Sequence, residues 1–506
     1  MFSTKLPISF FNTQQPVAVL FLLVAASWVD AQDPLVKDSS DLSAAGVSTV
    51  LSPTPLVDAL KARQFEQAGK MLVDGVSLNA TQPDGMTALH WAASYEVSDL
   101  VQGILQRGAD PQAVNRYGVT PLSLACQNGD EKTTSLLLKA GADPNCSLPG
   151  GETPLMTAAR TGRLGPVSAL LAGGAKVDAK NIGGQSAIMW AAAEGHLDVV
   201  DALINANADY RRALKSGFTP LFFAARQGKQ QVVFRLLAAG LDVNEAISPE
   251  KPARKGPRKG TSLLGLATEN GHFELATALL SAGANANDSR VGYAPLHAIT
   301  WVRKPIRGDG DPSPIGSGSV GSLVFVRNLV AAGADVNGKH GRKNSGNGQL
   351  NRTDATAFLL ACETGDLSLM KLLLELGADP KLTNADDCPP LLAAAGVGIL
   401  SNGDDTAGTQ EQAIEAVALL LTLGADLNAV DKHGNTAMHG AAFKSWTKLI
   451  AFLVDNGADQ KIWDKKNRFG WTPLMIAQGN RPGNFRPSAE TIKAVELALS
   501  RDSADQ

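Results

Sequence analysis

The chain has 506 residues, with 46 Lys or Arg against 49 Asp or Glu and a formal net charge of −3. That near-neutral balance excludes a general polyanion binder, so no nucleic acid is expected as a partner. Aromatic residues make up only 5% while glycine reaches 50 residues, which excludes a ring-rich core and implies many turns.

The N-terminus reads as a secretory leader. Lys5 gives a positive start, residues 17–26 (VAVLFLLVAA) an apolar run, and Val29-Asp30-Ala31 a small-residue cleavage site before Gln32. The run is too short for a comfortable membrane span. No later stretch approaches 18 apolar residues, so the mature chain is expected to carry no span. Residues 1–31 are therefore assigned as signal peptide and 32–50 as a flexible lead-in.

From there a period takes over. Thr54-Pro55-Leu56, Thr87-Ala88-Leu89-His90, Thr120-Pro121-Leu122, Thr153-Pro154-Leu155, Ser186-Ala187-Ile188 and Thr219-Pro220-Leu221 start 33 residues apart. A fixed spacing of this length marks a stacked repeat array, not a compact domain. In residues 117–145, Thr120 suits a helix cap, and Pro121 suits the first helical position, where its missing N–H costs nothing. Leu122, Leu124 and Ala125 put apolar atoms on one face of a short helix. Gly129 and Gly141 fall where helices end and positive φ is wanted. With Asn128-Gly129, Leu136-Leu137-Leu138 and Gly141-Ala142-Asp143-Pro144-Asn145, this unit resembles an ankyrin repeat.

The resemblance implies an all-α solenoid of stacked helix-turn-helix units with short β-hairpin-like turns, about twelve of them over residues 51–499. Later units start near Ser262, Ala294, Thr356, Pro389, Thr436 and Thr472, at intervals of 43, 32, 62, 33, 47 and 36 residues. The excess marks insertions near 248–260, 303–320, 338–352 and 396–410. Those near 248–260 and 338–352 fall in turns, and the other two between the helices of one unit, which are opposite edges of such an array. Core-facing Leu and Ala persist beside every insertion, so the stack is expected to continue, with 303–353 the place where a break would show. Residues 500–506 read as a polar tail.

Chemistry is sparse. Residues 316–321 (GSGSVG) match GxGxxG, but no strand precedes them, so a flexible loop is expected there. No HExxH, GxSxG, P-loop or CxxC occurs. No catalytic residue, cofactor or metal is therefore expected. Cys126 and Cys362 sit six residues after the unit start, a small buried position. Cys146 and Cys388 lie in turns, and export would permit Cys126–Cys146 or Cys362–Cys388 bridges. Arg307-Gly308-Asp309 and the sequons at Asn79, Asn145, Asn287 and Asn351 are short enough to arise by chance. For His90, His297 and His439 the resemblance implies a hydrogen bond linking neighbouring turns, and for His196 and His272 likewise a common structural position. His340 and His433 fall in turns with no role assigned.

The resemblance places binding on a concave groove, at four, three and one residues before the unit start and seven and eight after it. Those positions hold Tyr95, Arg116, Tyr117, Arg160, Lys215, Phe218, Arg226, Arg258, Lys259, Arg290, Tyr293, Trp301, Arg352, Phe443, Lys444, Phe469 and Trp471. Arg, Tyr and Trp are common anchors of protein interfaces. Trp91, Trp190 and Phe223, four after the start, are expected in the core. Lys251, Arg254, Lys255, Arg258 and Lys259 in one insertion, with Lys339, Arg342, Lys343 and Arg352 in another, suggest a basic patch for an anionic ligand. The expected function is a non-catalytic, monomeric protein-binding scaffold, periplasmic or secreted. An exported protein acting on another cell, and an enzyme assembled from the insertions, are the alternatives.

Overall fold

The computed structural model describes residues 54–73, 76–251, 258–305, 313–341, 350–398, 408–480 and 486–502. The leader, the lead-in, Arg254, Lys255, Arg307-Gly308-Asp309, Arg342, Lys343 and residues 503–506 lie outside the described residues. Every described helix belongs to one unit, residues 53–506.

Each repeat pairs a short first helix with a longer second one, starting with Pro55–Lys61 and Phe65–Val73 and ending with Pro473–Ala477 and Ala489–Asp502. That last helix runs on into the stretch expected to be a polar tail. Local chemistry starts and stops the helices as the sequence suggests. Thr120 Oγ1 accepts the Ser123 N–H at 3.1 Å and Pro121 occupies the first helical position. Gly129 ends that helix at φ 78°, a conformation that a side chain would strain. Among the described residues no strand forms. The turns carry only isolated bridges, Thr81 with Thr87 and Ala246 with Ser262.

First helices pack on first helices and second on second. Ala88–Ser94, Pro121–Asn128, Pro154–Thr161 and Ala187–Glu194 follow one another in one row, and Ser98–Gln106, Glu131–Lys139 and Leu164–Ala172 in the other. The apolar faces fuse into one buried cluster reaching from Leu56 to Ala498. The first row continues through 303–353, where Pro295–Arg303 packs on Ala357–Glu363; in the second row Phe273–Ser281 packs on Ser322–Ala331, whose Arg327 reaches Glu375 of the following second helix at 2.8 Å. Arg303 grips Asp366 through two nitrogens at 2.7 and 3.1 Å, bracing the same junction.

A second register runs through the turns. Asn145 Oδ1 accepts the Lys176 N–H at 2.8 Å, while its amide donates to Gly174 O at 3.2 Å. Asn244, Asn287 and Asn337 do the same to the next repeat, each across an insertion. These three insertions therefore leave the turn-to-turn spacing intact.

Residues 316–321, expected as a flexible loop, lie in irregular chain that is fastened to a neighbouring repeat. Ser317 N–H donates to His272 Nδ1 at 2.9 Å, and Ser319 N–H to Glu274 Oε2 at 2.7 Å. A Cβ on Gly316 would stand 1.8 Å from Gly271 O, so glycine there serves close backbone approach. All four cysteines are free, so neither bridge forms. Among the described residues no helix is long and apolar enough to cross a membrane.

Candidate partner-binding face

The face is set by how the turns are fastened to the first helices. Thr87 Oγ1 lies 2.8 Å from His90 Nδ1, and His90 Nε2 reaches Val119 O in the next turn at 3.0 Å. His439 repeats this with Thr436 at 2.9 Å and Lys465 O at 3.0 Å, and His297 joins Gly338 O at 3.0 Å. Burial holds all three imidazoles below the usual histidine range, His439 at about 4. His196 and His272 instead reach back to the preceding repeat's first helix, to Arg160 O at 3.0 Å and Arg226 O at 2.9 Å. His340 is buried, stacked on Tyr293 at 5.6 Å, and His433 sits 3.0 Å from Asp386 Oδ2.

On this frame the predicted residues separate. Arg116, Tyr117, Lys215, Arg226, Arg258, Lys259 and Phe469 are exposed. Arg116 stacks on Tyr117 at 4.9 Å and donates to its hydroxyl at 2.8 Å. Tyr95, Arg160, Trp301, Arg352 and Trp471 are half-buried. Tyr95 stacks on Trp91 at 5.7 Å under the Arg63 guanidinium at 4.7 Å. Arg160 lies 5.8 Å over Trp190 and 3.5 Å from Glu152. Arg352 lies 5.9 Å over Trp301, and Phe469 stacks on Trp471 at 4.9 Å.

Four of the set are buried instead, which removes them from the free surface. Phe218, 3% exposed, packs at 5.1 Å on Phe223. Tyr293, 7% exposed, meets Trp301 edge-on at 4.9 Å and donates its hydroxyl to Glu269 Oε1. Burial holds that Glu269 carboxyl above the usual range. Phe443 packs with Ala442, Ile476 and Trp471, and Lys444 is 3% exposed. Arg290 keeps an exposed edge but is tied to Asp288 and to Asn244 O at 2.6 Å, so it fastens a turn. Conversely, Phe223, Trp91 and Trp190, expected in the core, pack against it but are not fully buried, and the two tryptophans stand out. Both are half-buried with a cation over the ring, Lys61 at 5.9 Å for Trp91 and Arg160 for Trp190. Their position four residues into the repeat lies at the boundary between core and face, which spacing alone does not resolve.

Seven and eight residues after each repeat start, side chains are exposed or half-buried from Ser94 and Tyr95 through Glu269 and Asn270. This stretch is the open part of the face. The sequon asparagines are occupied: Asn145 and Asn287 by the turn register, Asn79 by the Asp110 N–H at 3.0 Å and Asn351 by Asp386 at 3.1 Å.

Comparison with known families agrees with this geometry. A profile for three ankyrin repeats matches residues 98–181, 167–247 and 407–486, and one for a single ankyrin repeat matches 353–385, together just over half of the chain. Ankyrin repeat family A protein 2 of Mus musculus is 35% identical over 101 residues, 19% of this chain and 32% of that protein. The B-cell lymphoma 3 protein homolog of Mus musculus is 32% identical over 127 residues, a quarter of each chain. E3 ubiquitin-protein ligase KEG of Arabidopsis thaliana is 26% identical over 164 residues, 28% of this chain and 10% of that one. The chain thus spans about a third or less of these relatives. Ankyrin repeats imply a scaffold for protein–protein contacts. The chain is an ankyrin-repeat protein.

Proposed function

We propose that this protein is a non-catalytic scaffold of about twelve ankyrin repeats. It binds partner proteins outside the cytoplasm, as a single copy, through the groove lined by the turn tips and first helices. The observation that carries the reading is the open run of first-helix ends from Tyr95 to Asn270. There, rings already held by cations, Tyr95 under Arg63 and Trp190 under Arg160, stand half-exposed. Such pre-ordered aromatic and Arg groups bury area in a partner at low entropic cost. The apolar run and small-residue site of residues 1–31 support export. The exposed Lys251, Arg258 and Lys259 support an anionic contact at the turn edge.

The test is affinity capture with protein lacking residues 1–31, beside a Tyr95→Ala, Arg160→Ala, Arg226→Ala variant. A partner held by the first and lost by the second is expected. Equal capture by both would move the site elsewhere. Fractionation of the full chain with a C-terminal tag addresses export: a protein of full mass in the cytoplasm contradicts it.

A further inference from the structure

The open run of the face ends abruptly. At the same two positions in later repeats, Glu363, Thr364, Gly396, Val397, Phe443 and Lys444 are all buried. Over Lys444 the cover is the chain itself, residues 395–398 at the end of the neighbouring first helix. A Cβ on Gly398 would lie 2.5 Å from Leu350 N and Cα, so residues 395–398 and 350–352, edges of two different insertions, touch. Sequence spacing puts those insertions on opposite sides of the array. Here their described edges, Gly398 and Leu350, touch. A Cβ on Gly396 would stand 2.6 Å from Lys444 Cγ, so this strap lies directly on the lysine stem. It is built with glycine at φ 93° and 88°, and the first helix before it, Pro390–Ala394, has only five residues.

The strap covers charges without pairing them. Lys444 Nζ is sealed from solvent and makes no hydrogen bond in the protein; the Trp446 ring lies 4.8 Å away and the Glu363 carboxyl acts on it only through space. Glu363 Oε2 is likewise buried without a hydrogen bond, and its nearest cation is Arg352 at 3.9 Å. Burial lowers the Lys444 amine to about 8 and raises the Glu363 carboxyl. Apolar cover over an unpaired ammonium is costly, because three donors lose water and gain no acceptor. With Arg352 beside Glu363, the charge left over is that of Lys444, which an incoming carboxylate would match.

We propose that this covered stretch is a second binding site, for an acidic peptide segment whose carboxylate pairs with Lys444 in place of the chain's own strap. The site rests on the reading of the groove as the partner-binding face. Its occupant follows from charge: two cations, Arg352 and Lys444, face one carboxylate, with Trp446 and Phe443 alongside to bury the peptide's apolar atoms.

The test is acetylation of Lys444, mapped by mass spectrometry on the full chain and compared with exposed Lys215, without and with hexaglutamate. A sealed amine reacts only through local opening, so Lys444 should label about tenfold or more slowly than Lys215. Gly398→Ala, which forces the two edges apart, should bring the two rates together. Hexaglutamate should then protect Lys444, and hexalysine should not. Leu350→Ser loosens the same contact from the other side and replaces Gly398→Ala if that variant does not fold. Rapid labelling in the unaltered protein, no protection by hexaglutamate, or equal protection by hexalysine overturns the proposal. Capture through Tyr95, Arg160 and Arg226 is measured on the same variant. Loss of that capture with Lys444 protection intact would strike the open-face reading alone.

Discussion

At the scale of single residues, position within a repeat predicts backbone placement better than exposure. Phe443 and Lys444 stand where the repeat pattern calls for groove contacts, and their backbone is there. Lys444 is covered by Gly396, and Phe443 packs with Ala442, Ile476 and Trp471, contacts that the period does not describe. Gly316 and Gly318, legible only as a weak GxGxxG match, are explained by contact with Gly271 and Glu274. Lys444 offers a direct check on the cost of unpaired burial. Its amine sits near 8 in the fold against 10.5 unperturbed, so between those values the unfolded chain binds more protons and stability rises with pH. Replacing it with an apolar side chain of similar length removes the penalty. Lys444→Met is expected to raise unfolding free energy by about 2 kcal/mol at pH 7, and by little near pH 10.5. Urea unfolding at both pH values measures this, and a loss at pH 7 contradicts the account.

At the scale of elements, the helices and their ends were legible because their signals are local. Thr at the cap, Pro at the first turn and Gly at the end recur at fixed spacing and need no tertiary context. The braces between elements were not legible, since Arg303 and Asp366 lie 63 residues apart across an insertion. Asp366 both holds that arginine and caps the helix Leu367–Glu375 through the Leu369 N–H at 3.2 Å. Asp366→Ala should therefore cost about 3 kcal/mol, the scale of a broken buried pair plus a cap. Glu375→Ala, which loses Arg327 at an exposed site, should cost under about 1 kcal/mol. Similar losses for the two would contradict the distinction. The histidine fastenings give the elements an acid limit. His439 titrates at about 4 in the fold and 6.5 unperturbed, so its contribution is complete above pH 6.5 and is lost as pH falls toward 4. That shift amounts to about 3 kcal/mol, and His439→Gln should flatten stability over this window in urea titrations. An unchanged slope would mean that the buried imidazole is not the sensitive group.

At the scale of the molecule, the array was legible from its period, and its passage through 303–353 follows from the turn asparagines and from paired helix rows on either side. The division of its face into an open run and a covered run was not legible, because Leu350 and Gly398, at the edges of two insertions assigned to opposite sides, touch in space. Which face holds the partners is the point on which the functional reading turns, and site-specific photo-cross-linking reads it out. A photoreactive residue would replace exposed Gln127 or Arg226 on the open run, or exposed Lys132 or Lys371 on the second-helix side. The same partner is expected to cross-link from Gln127 and Arg226, with nothing from Lys132 or Lys371. Cross-links confined to the second-helix positions would contradict a groove-binding scaffold.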